Sequence, residues 1–87
     1  MPALPMNSNV NMVGLVEHLA KALVNAPDEV EVEAFDEPGQ IVVELFVAED
    51  DLGRIIGRGG RMARSLRTIV NAAALRTRKR YQLEIVE

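Results

Sequence analysis

The chain has 87 residues, the size of one small domain, and it contains no cysteine, which excludes disulfides, thiol catalysis and cysteine-based zinc sites. No apolar run approaches the ~20 residues that span a bilayer. The net charge of −3 conceals an asymmetry: residues 1–53 carry a charge of −10, whereas residues 54–87 carry +7. A basic half of this kind predicts a face that attracts phosphate, whatever the total charge.

The N-terminal part predicts a tail followed by a helix. Residues 1–12 contain two prolines and several polar side chains, so we expect a tail outside a domain of residues 13–87. Residues 13–25 place apolar side chains at i, i+3, i+4, i+7 and i+8, which predicts an amphipathic helix that Pro27 ends. The only histidine, His18, lies off the apolar face and is expected to be solvated.

Two strands are predicted next. Residues 29–35 alternate glutamate with Val30, Val32 and Ala34, which is typical of a half-buried strand with one acidic, solvent-facing side. A metal site is the alternative, but alternate residues of one strand stand about 7 Å apart, too far for a compact cage. A turn follows at residues 36–39, and residues 41–47 form the second strand.

The second half predicts two helices and a third strand. The acidic residues 49–51 open a short helix, because acids suit the positive end of a helix dipole. A long helix follows over about residues 60–78, with Arg78-Lys79-Arg80 at its C-terminal end, where cations are favoured. Residues 81–86 alternate as a strand. The predicted buried stripe of the long helix is Met62, Leu66, Val70 and Ala73.

The stretch between these two helices carries the chemistry. Glycines at 57, 59 and 60 would let a ligand backbone approach closely, and the free amides at the start of the long helix form an anion site. Arginines oppose the dipole there, so folding alone does not explain them, whereas an arriving phosphate backbone does. The clustered arginines are Arg54, Arg58, Arg61, Arg64 and Arg67.

A family resemblance appears at this stretch. Ile55-Ile56-Gly57-Arg58-Gly59-Gly60 resembles the IGxxG loop of a KH domain, and residues 61–70 resemble the helix that follows it. The similarity spans residues 13–86, and the whole chain resembles the small bacterial single-KH proteins called KhpA. The order helix, strand, strand, helix, helix, strand is that of an α+β type II KH domain, with three helices on one face of a three-stranded sheet.

The resemblance implies binding of single-stranded RNA, because the KH loop clamps the backbone of about four nucleotides. It also implies a cytoplasmic RNA chaperone or regulator of transcripts, linked in some bacteria to cell elongation and division. A protein of the KhpB/Jag type is an expected partner, and no cofactor, metal or membrane is expected. The predicted RNA-binding residues are Arg54, Ile55, Ile56, Gly57, Arg58, Gly59, Gly60, Arg61, Arg64 and Arg67.

Two other functions fit the sequence less well. The alternative is a protein-interaction module, a partner of a KhpB/Jag-type protein whose glycine loop is purely structural and which binds little RNA of its own, but the loop arginines argue against it. An enzyme is not expected, because the chain has one histidine, no cysteine and no carboxylate pair that can be placed in a pocket.

The long helix also predicts a homodimer. A second stripe of small or aliphatic residues lies beside the buried one, so two helices could approach closely around a two-fold axis. One KH groove covers only about four nucleotides, and a second linked site would raise the affinity for RNA. The predicted interface residues are Ser65, Ile69, Ala72 and Leu75.

Overall fold

In a computed structural model, which describes residues 8–87, three helices cover one face of a three-stranded sheet. The helices are α1 (Ser8–Leu23), α2 (Leu52–Ile56) and α3 (Arg61–Ala74), and the strands are β1 (Glu31–Glu37), β2 (Gln40–Phe46) and β3 (Tyr81–Ile85). Single 3-10 turns occupy Pro27–Glu29, Glu49–Asp51 and Arg58–Gly60. The predicted fold class and element order are confirmed.

The first helix starts earlier than predicted. It begins at Ser8 and not at residue 13, while residues 1–7 of the predicted tail lie outside the described part of the chain. Met12 is buried because it lies one helical turn before Val16 on the same apolar face. The apolar face of α1 therefore continues before the predicted boundary at residue 13. The burial of Met12 outweighs the weak helix preference of the neighbouring asparagines.

The sheet is mixed, with strand order β1-β2-β3. β1 and β2 form an antiparallel hairpin, and β3 lies parallel to β2. A parallel connection needs a crossover, and α2 and α3 supply it, which places the glycine loop between two helices packed over the sheet. The inner face consists of cross-strand rows of apolar residues: Val32–Leu45–Ile85, Ala34–Val43–Leu83 and Ile41–Tyr81.

The buried face of α3 differs from the predicted stripe. Leu66 and Val70 are buried as predicted, but Ala63 and Ala74 complete the face, whereas Met62 and Ala73 are only half-buried at its rim. The helix is therefore rotated toward β3, the edge strand on which it packs. This rotation places the side of α3 that carries Arg64 and Arg67 beside the open edge of the sheet.

The end of α3 is also corrected, because the helix stops at Ala74 and not near residue 78. Thr77 ends it: its Oγ1 donates to the carbonyl of Ala74 at 2.7 Å and accepts from the backbone N–H of Lys79 at 3.1 Å. Threonine hydroxyls compete with helical hydrogen bonds in this way. The basic residues after Ala74 therefore lie on a loop between α3 and β3 and not in a final helical turn.

Candidate nucleic-acid interface

The loop of residues 57–60 has a shape that only glycine adopts readily. Three of its four residues have positive φ: Gly57 (φ 77°, ψ 171°), Gly59 (64°, 19°) and Gly60 (79°, 12°). At Gly57 an added Cβ would lie 2.7 Å from both the Cβ and the backbone nitrogen of Met62, whereas at Gly59 it would meet nothing within 4 Å. Gly57 therefore makes a close approach to α3, whereas the space above Gly59 is open.

Hydrogen bonds close the loop from both sides. The N–H of Gly57 donates to the carbonyl of Gly53 at 2.8 Å, and the N–H of Gly60 donates to the carbonyl of Gly57 at 3.1 Å. From the first turn of α3, Arg64 Nη1 donates to the carbonyl of Gly59 at 3.0 Å. The loop is thus held in shape before any ligand arrives, which lowers the entropy that binding must overcome.

The two isoleucines before the loop have different roles. Ile55, one of the predicted RNA-binding residues, is 0% exposed and belongs to the core cluster, so its side chain packs inside the protein. Ile56, the last residue of α2, is half-buried and keeps an apolar surface next to Gly57. Both lie in one short helix, where adjacent residues point about 100° apart, so one side chain enters the core and the other borders the loop.

The five clustered arginines divide into anchored and free side chains. Arg54 Nε lies 3.6 Å from Asp51 Oδ1, and Arg67 Nε donates to the carbonyl of Leu83 at 3.4 Å. Arg64 braces the loop as described above. Within residues 8–87, Arg58 and Arg61 are exposed and have no ion pair or side-chain hydrogen bond, so their guanidinium groups are available to a ligand.

A buried carboxylate, missed by the sequence reasoning, holds this region to α1. Asp51 is 2% exposed, and its two oxygens accept from the backbone N–H groups of Asn25 and Ala26, each at 3.0 Å. Asp51 stands directly before α2, but its side chain makes no capping hydrogen bond to that helix. The signal in the sequence was Pro27: it ends α1, and the N–H groups just before it then need an acceptor from elsewhere.

The predicted dimer residues lie together on the exposed side of α3 and just beyond its end. Ser65 and Ala72 are exposed, Ile69 is 40% exposed, and Leu75 is 85% exposed. All four residues are thus exposed in the described part of the chain, Ile69 only in part. Over the same residues, no three acidic or histidine side chains lie close enough to hold a metal ion, and no helix is long and apolar enough to cross a membrane.

Comparison with known proteins identifies the family. A family model described as "KhpA/KhpB, KH domain" matches residues 14–85. The chain belongs to this family of KH domains. It is 45% identical over 76 residues to the RNA-binding protein KhpA of Halalkalibacterium halodurans, with 87% of this chain and 100% of the relative covered. It is 49% identical over 72 residues to the RNA-binding protein KhpA of Caldanaerobacter subterraneus, with 83% and 96% covered.

Solved structures show the same fold in a larger protein. A variant of Aquifex aeolicus Era bound to GDP and AlF4⁻ matches 95% of this chain with a TM-score of 0.62 and 20% identity. Era in complex with MgGDPNP and nucleotides 1506–1542 of 16S ribosomal RNA matches 98% of it with a TM-score of 0.64 and 18% identity. The chain covers 31% and 34% of those two proteins, and the likeness concerns the KH fold alone.

Proposed function

We propose that this protein binds single-stranded RNA by clamping the sugar-phosphate backbone over residues 57–60, without catalysing a reaction. The observation that carries the proposal is the braced loop, which has three positive-φ glycines, the unpaired cation Arg58 among them and the unpaired cation Arg61 directly after them. The membership of the chain in the KhpA/KhpB family of KH domains supports the proposal. Two relatives with 45% and 49% identity are named RNA-binding proteins, which also supports it.

Each part of the loop has a role in this proposal. The missing side chains let a phosphate approach the backbone N–H groups at the start of α3, where the helix dipole favours negative charge. Arg58 and Arg61 pair with phosphates on either side of the turn, and Ile56 offers an apolar surface to a base. Because most contacts go to phosphate and few side chains reach base edges, we expect loose sequence preference.

The anchored arginines act differently from the free ones. Arg54, Arg64 and Arg67 each use part of a guanidinium that has five N–H donors, so their charge remains while their position is fixed by the protein. We assign them to shaping and charging the groove more than to gripping individual phosphates. Arg64 is the most direct case, because losing it removes a phosphate-attracting charge and also the brace on Gly59.

The cellular role follows from the family resemblance. We propose a cytoplasmic RNA chaperone or post-transcriptional regulator, connected with cell elongation and division, that pairs with a KhpB/Jag-type protein. The family model that matches this chain describes KhpA and KhpB together, which supports a KhpB-type partner.

A double substitution in the loop tests the RNA site. Arg58→Asp with Gly59→Asp changes the charge by three units where the phosphates would lie, and the Cβ added at residue 59 meets nothing within 4 Å. We expect the affinity for an unstructured twelve-nucleotide RNA, measured by fluorescence anisotropy, to fall at least tenfold. Circular dichroism should show an unchanged fold, since aspartate tolerates the left-handed conformation better than most residues.

A matched control separates a local effect from a change in net charge. Lys21→Glu with Ala22→Glu also lowers the charge by three units, on the exposed face of α1. It should leave RNA affinity within about twofold of the native value, because neither residue belongs to the loop or to α3 and salt weakens interactions between exposed charges. Native affinity in the loop variant, or an equal loss in the control, would rule out the assigned site.

The exposed stripe on α3 supports a second element of the proposal, a homodimer. Ile69, Ala72 and Leu75 expose apolar or small surface that no described residue covers. Two α3 helices packed around a two-fold axis would bury this stripe and place two RNA loops on one particle. If instead the loop variant bound RNA normally, this stripe would favour the alternative that the protein is chiefly an interaction module.

A further inference from the structure

The loop between α3 and β3 carries a second concentration of positive charge that the glycine loop does not include. Four of its residues are cationic and exposed, and within residues 8–87 none of them forms an ion pair. The four are Arg76, Arg78, Lys79 and Arg80. Cations in a last helical turn would be explained by the helix dipole, but α3 ends at Ala74, and most of this charge lies beyond that turn.

The loop is ordered by its own hydrogen bonds. Thr77 Oγ1 bonds to Ala74 and Lys79, and the carbonyl of Arg80 accepts from the N–H of Ile41 in β2 at 2.8 Å. Arg78 has φ 61°, and it is the only non-glycine residue of the described chain with positive φ. An arginine rarely adopts this conformation, in which glycine or asparagine is the usual choice. The loop thus presents a long cation where the backbone favours a small residue.

A continuous side of α3 joins this loop to the glycine loop. Arg64, Arg67 and Asn71 follow one another at i, i+3 and i+7, which places them on one side of the helix, and Arg67 contacts β3 there. An open cleft of about 420 Å³ continues from Asn71 to the basic loop. The residues lining this cleft are Asn71, Ala74, Leu75, Arg78, Lys79, Arg80 and Tyr81.

Acidic residues face the other side of the same loop. Asp36 and Glu37 line a neighbouring cleft of about 370 Å³ together with Arg78, Lys79 and Arg80. No carboxylate there lies within ion-pair distance of the cations, and two acids do not offset four bases. A phosphate chain is therefore repelled from the β1–β2 turn and directed to the cleft on the α3 side.

We propose that residues 75–80 form a second phosphate-contacting surface, onto which an RNA strand clamped at residues 57–60 continues along α3. This inference rests on the proposed RNA binding. The 14 residues of α3 span ~21 Å at 1.5 Å per residue. At a stacked rise of 3.4 Å this distance corresponds to about six nucleotides, which with about four in the clamp makes ten.

RNA length tests the proposal. A five-nucleotide RNA fills the clamp, and a twelve-nucleotide RNA of the same composition reaches both surfaces. Each phosphate contact contributes about −0.7 to the slope of log K against log salt. The slope should therefore be near −3 for the four contacts of the short RNA and steeper by about 1.4 for the long RNA, which makes two more. The same relation gives a roughly fivefold gain in affinity per added contact at 0.1 M salt. The affinity for the short RNA is measured by NMR titration, and the affinity for the long RNA is measured by fluorescence anisotropy.

Substitutions in the loop locate the additional contacts. Arg78→Asn with Lys79→Gln removes two charges while keeping a residue that tolerates positive φ. We expect it to weaken binding of the long RNA roughly 25-fold, two contacts at about fivefold each, and to return its salt slope to that of the short RNA. Binding of the short RNA should not change. Lys79→Gln and Lys21→Gln form a pair with equal charge change, and only the first should affect the long RNA.

The outcomes distinguish this inference from the proposed function. Equal slopes for the two RNAs, an unchanged long-RNA slope in the double variant, or equal losses from Lys79→Gln and Lys21→Gln would each overturn the second surface and leave the clamp intact. Failure of native protein to bind either RNA would overturn both. A steeper slope that the double variant abolishes supports the proposal.

Discussion

Replacing Gly57 by alanine should destabilise the protein far more than an exposed loop position suggests. Its φ of 77° and ψ of 171° lie in a region that is essentially restricted to glycine, where another residue costs about 1–3 kcal/mol. The new Cβ would lie 2.7 Å from the Cβ and the backbone nitrogen of Met62. Relieving such overpacking costs about another 1–3 kcal/mol, so we expect a loss of ~2–6 kcal/mol in the free energy of unfolding.

Thermal unfolding followed by circular dichroism measures this loss. For a domain of this size 1 kcal/mol lowers Tm by about 4–8 °C, so Gly57→Ala should lower it by at least ~8 °C. Gly59→Ala is the matched control, because φ is also positive but the added Cβ meets nothing within 4 Å. We expect it to cost only about 1 kcal/mol.

Equal Tm values for the two variants would refute this reasoning. A second check uses Met62. The atoms in conflict are its Cβ and its backbone nitrogen, which Met62→Ala retains. The double variant Gly57→Ala with Met62→Ala should therefore not recover stability, and a recovery would show that the flexible end of the methionine side chain was responsible.

Two further predictions concern Asp51 and the dimer. Asp51→Asn should lower the free energy of unfolding by ~2–3 kcal/mol in urea titrations, because one of two backbone N–H groups loses its charged acceptor. Asp50→Asn, at the exposed neighbouring position, makes the same charge change and should alter the free energy of unfolding by no more than about 0.5 kcal/mol. Equal effects of the two variants would contradict the role of the buried carboxylate. In sedimentation equilibrium at micromolar concentration the native protein should be a dimer and the Ala72→Glu variant a monomer. The control variant Asn71→Glu should remain a dimer, because residue 71 points about 100° away from residue 72 on the helix. A monomeric native protein or a dimeric Ala72→Glu variant rules the interface out.

Local patterns predicted the fold because each element has its own signal. Alternation identified the strands, helical spacing identified α1 and α3, and the glycines between two apolar segments located the loop. The predicted boundaries were wrong where a weak local preference met a tertiary contact. The start of α1 is the example: asparagines disfavour a helix, but burial of Met12 in the core extends it to Ser8.

The site was predicted only in part, because charge in a sequence does not show what each side chain contacts. The pattern placed five arginines around the loop but could not separate Arg58 and Arg61, which are free, from Arg54, which is paired with Asp51. It also paired Ile55 with Ile56, although the core takes one of them completely. Asp51 accepts hydrogen bonds from Asn25 and Ala26, which lie 26 and 25 positions before it in the sequence, and no local pattern predicts a contact over that separation.

The structure also explains how a chain with a net charge of −3 could bind a polyanion. β1, β2 and β3 align Glu33, Glu44 and Glu84 in one cross-strand row on the face of the sheet that the helices leave uncovered. Like charges opposite one another destabilise a sheet, so this row is a cost to folding. The helices lie on the other face, in a molecule measuring 36 × 30 × 20 Å. Its shortest extent is about two Debye lengths at 0.1 M salt, so in the proposed binding mode RNA along α3 would interact mainly with the arginines of that face.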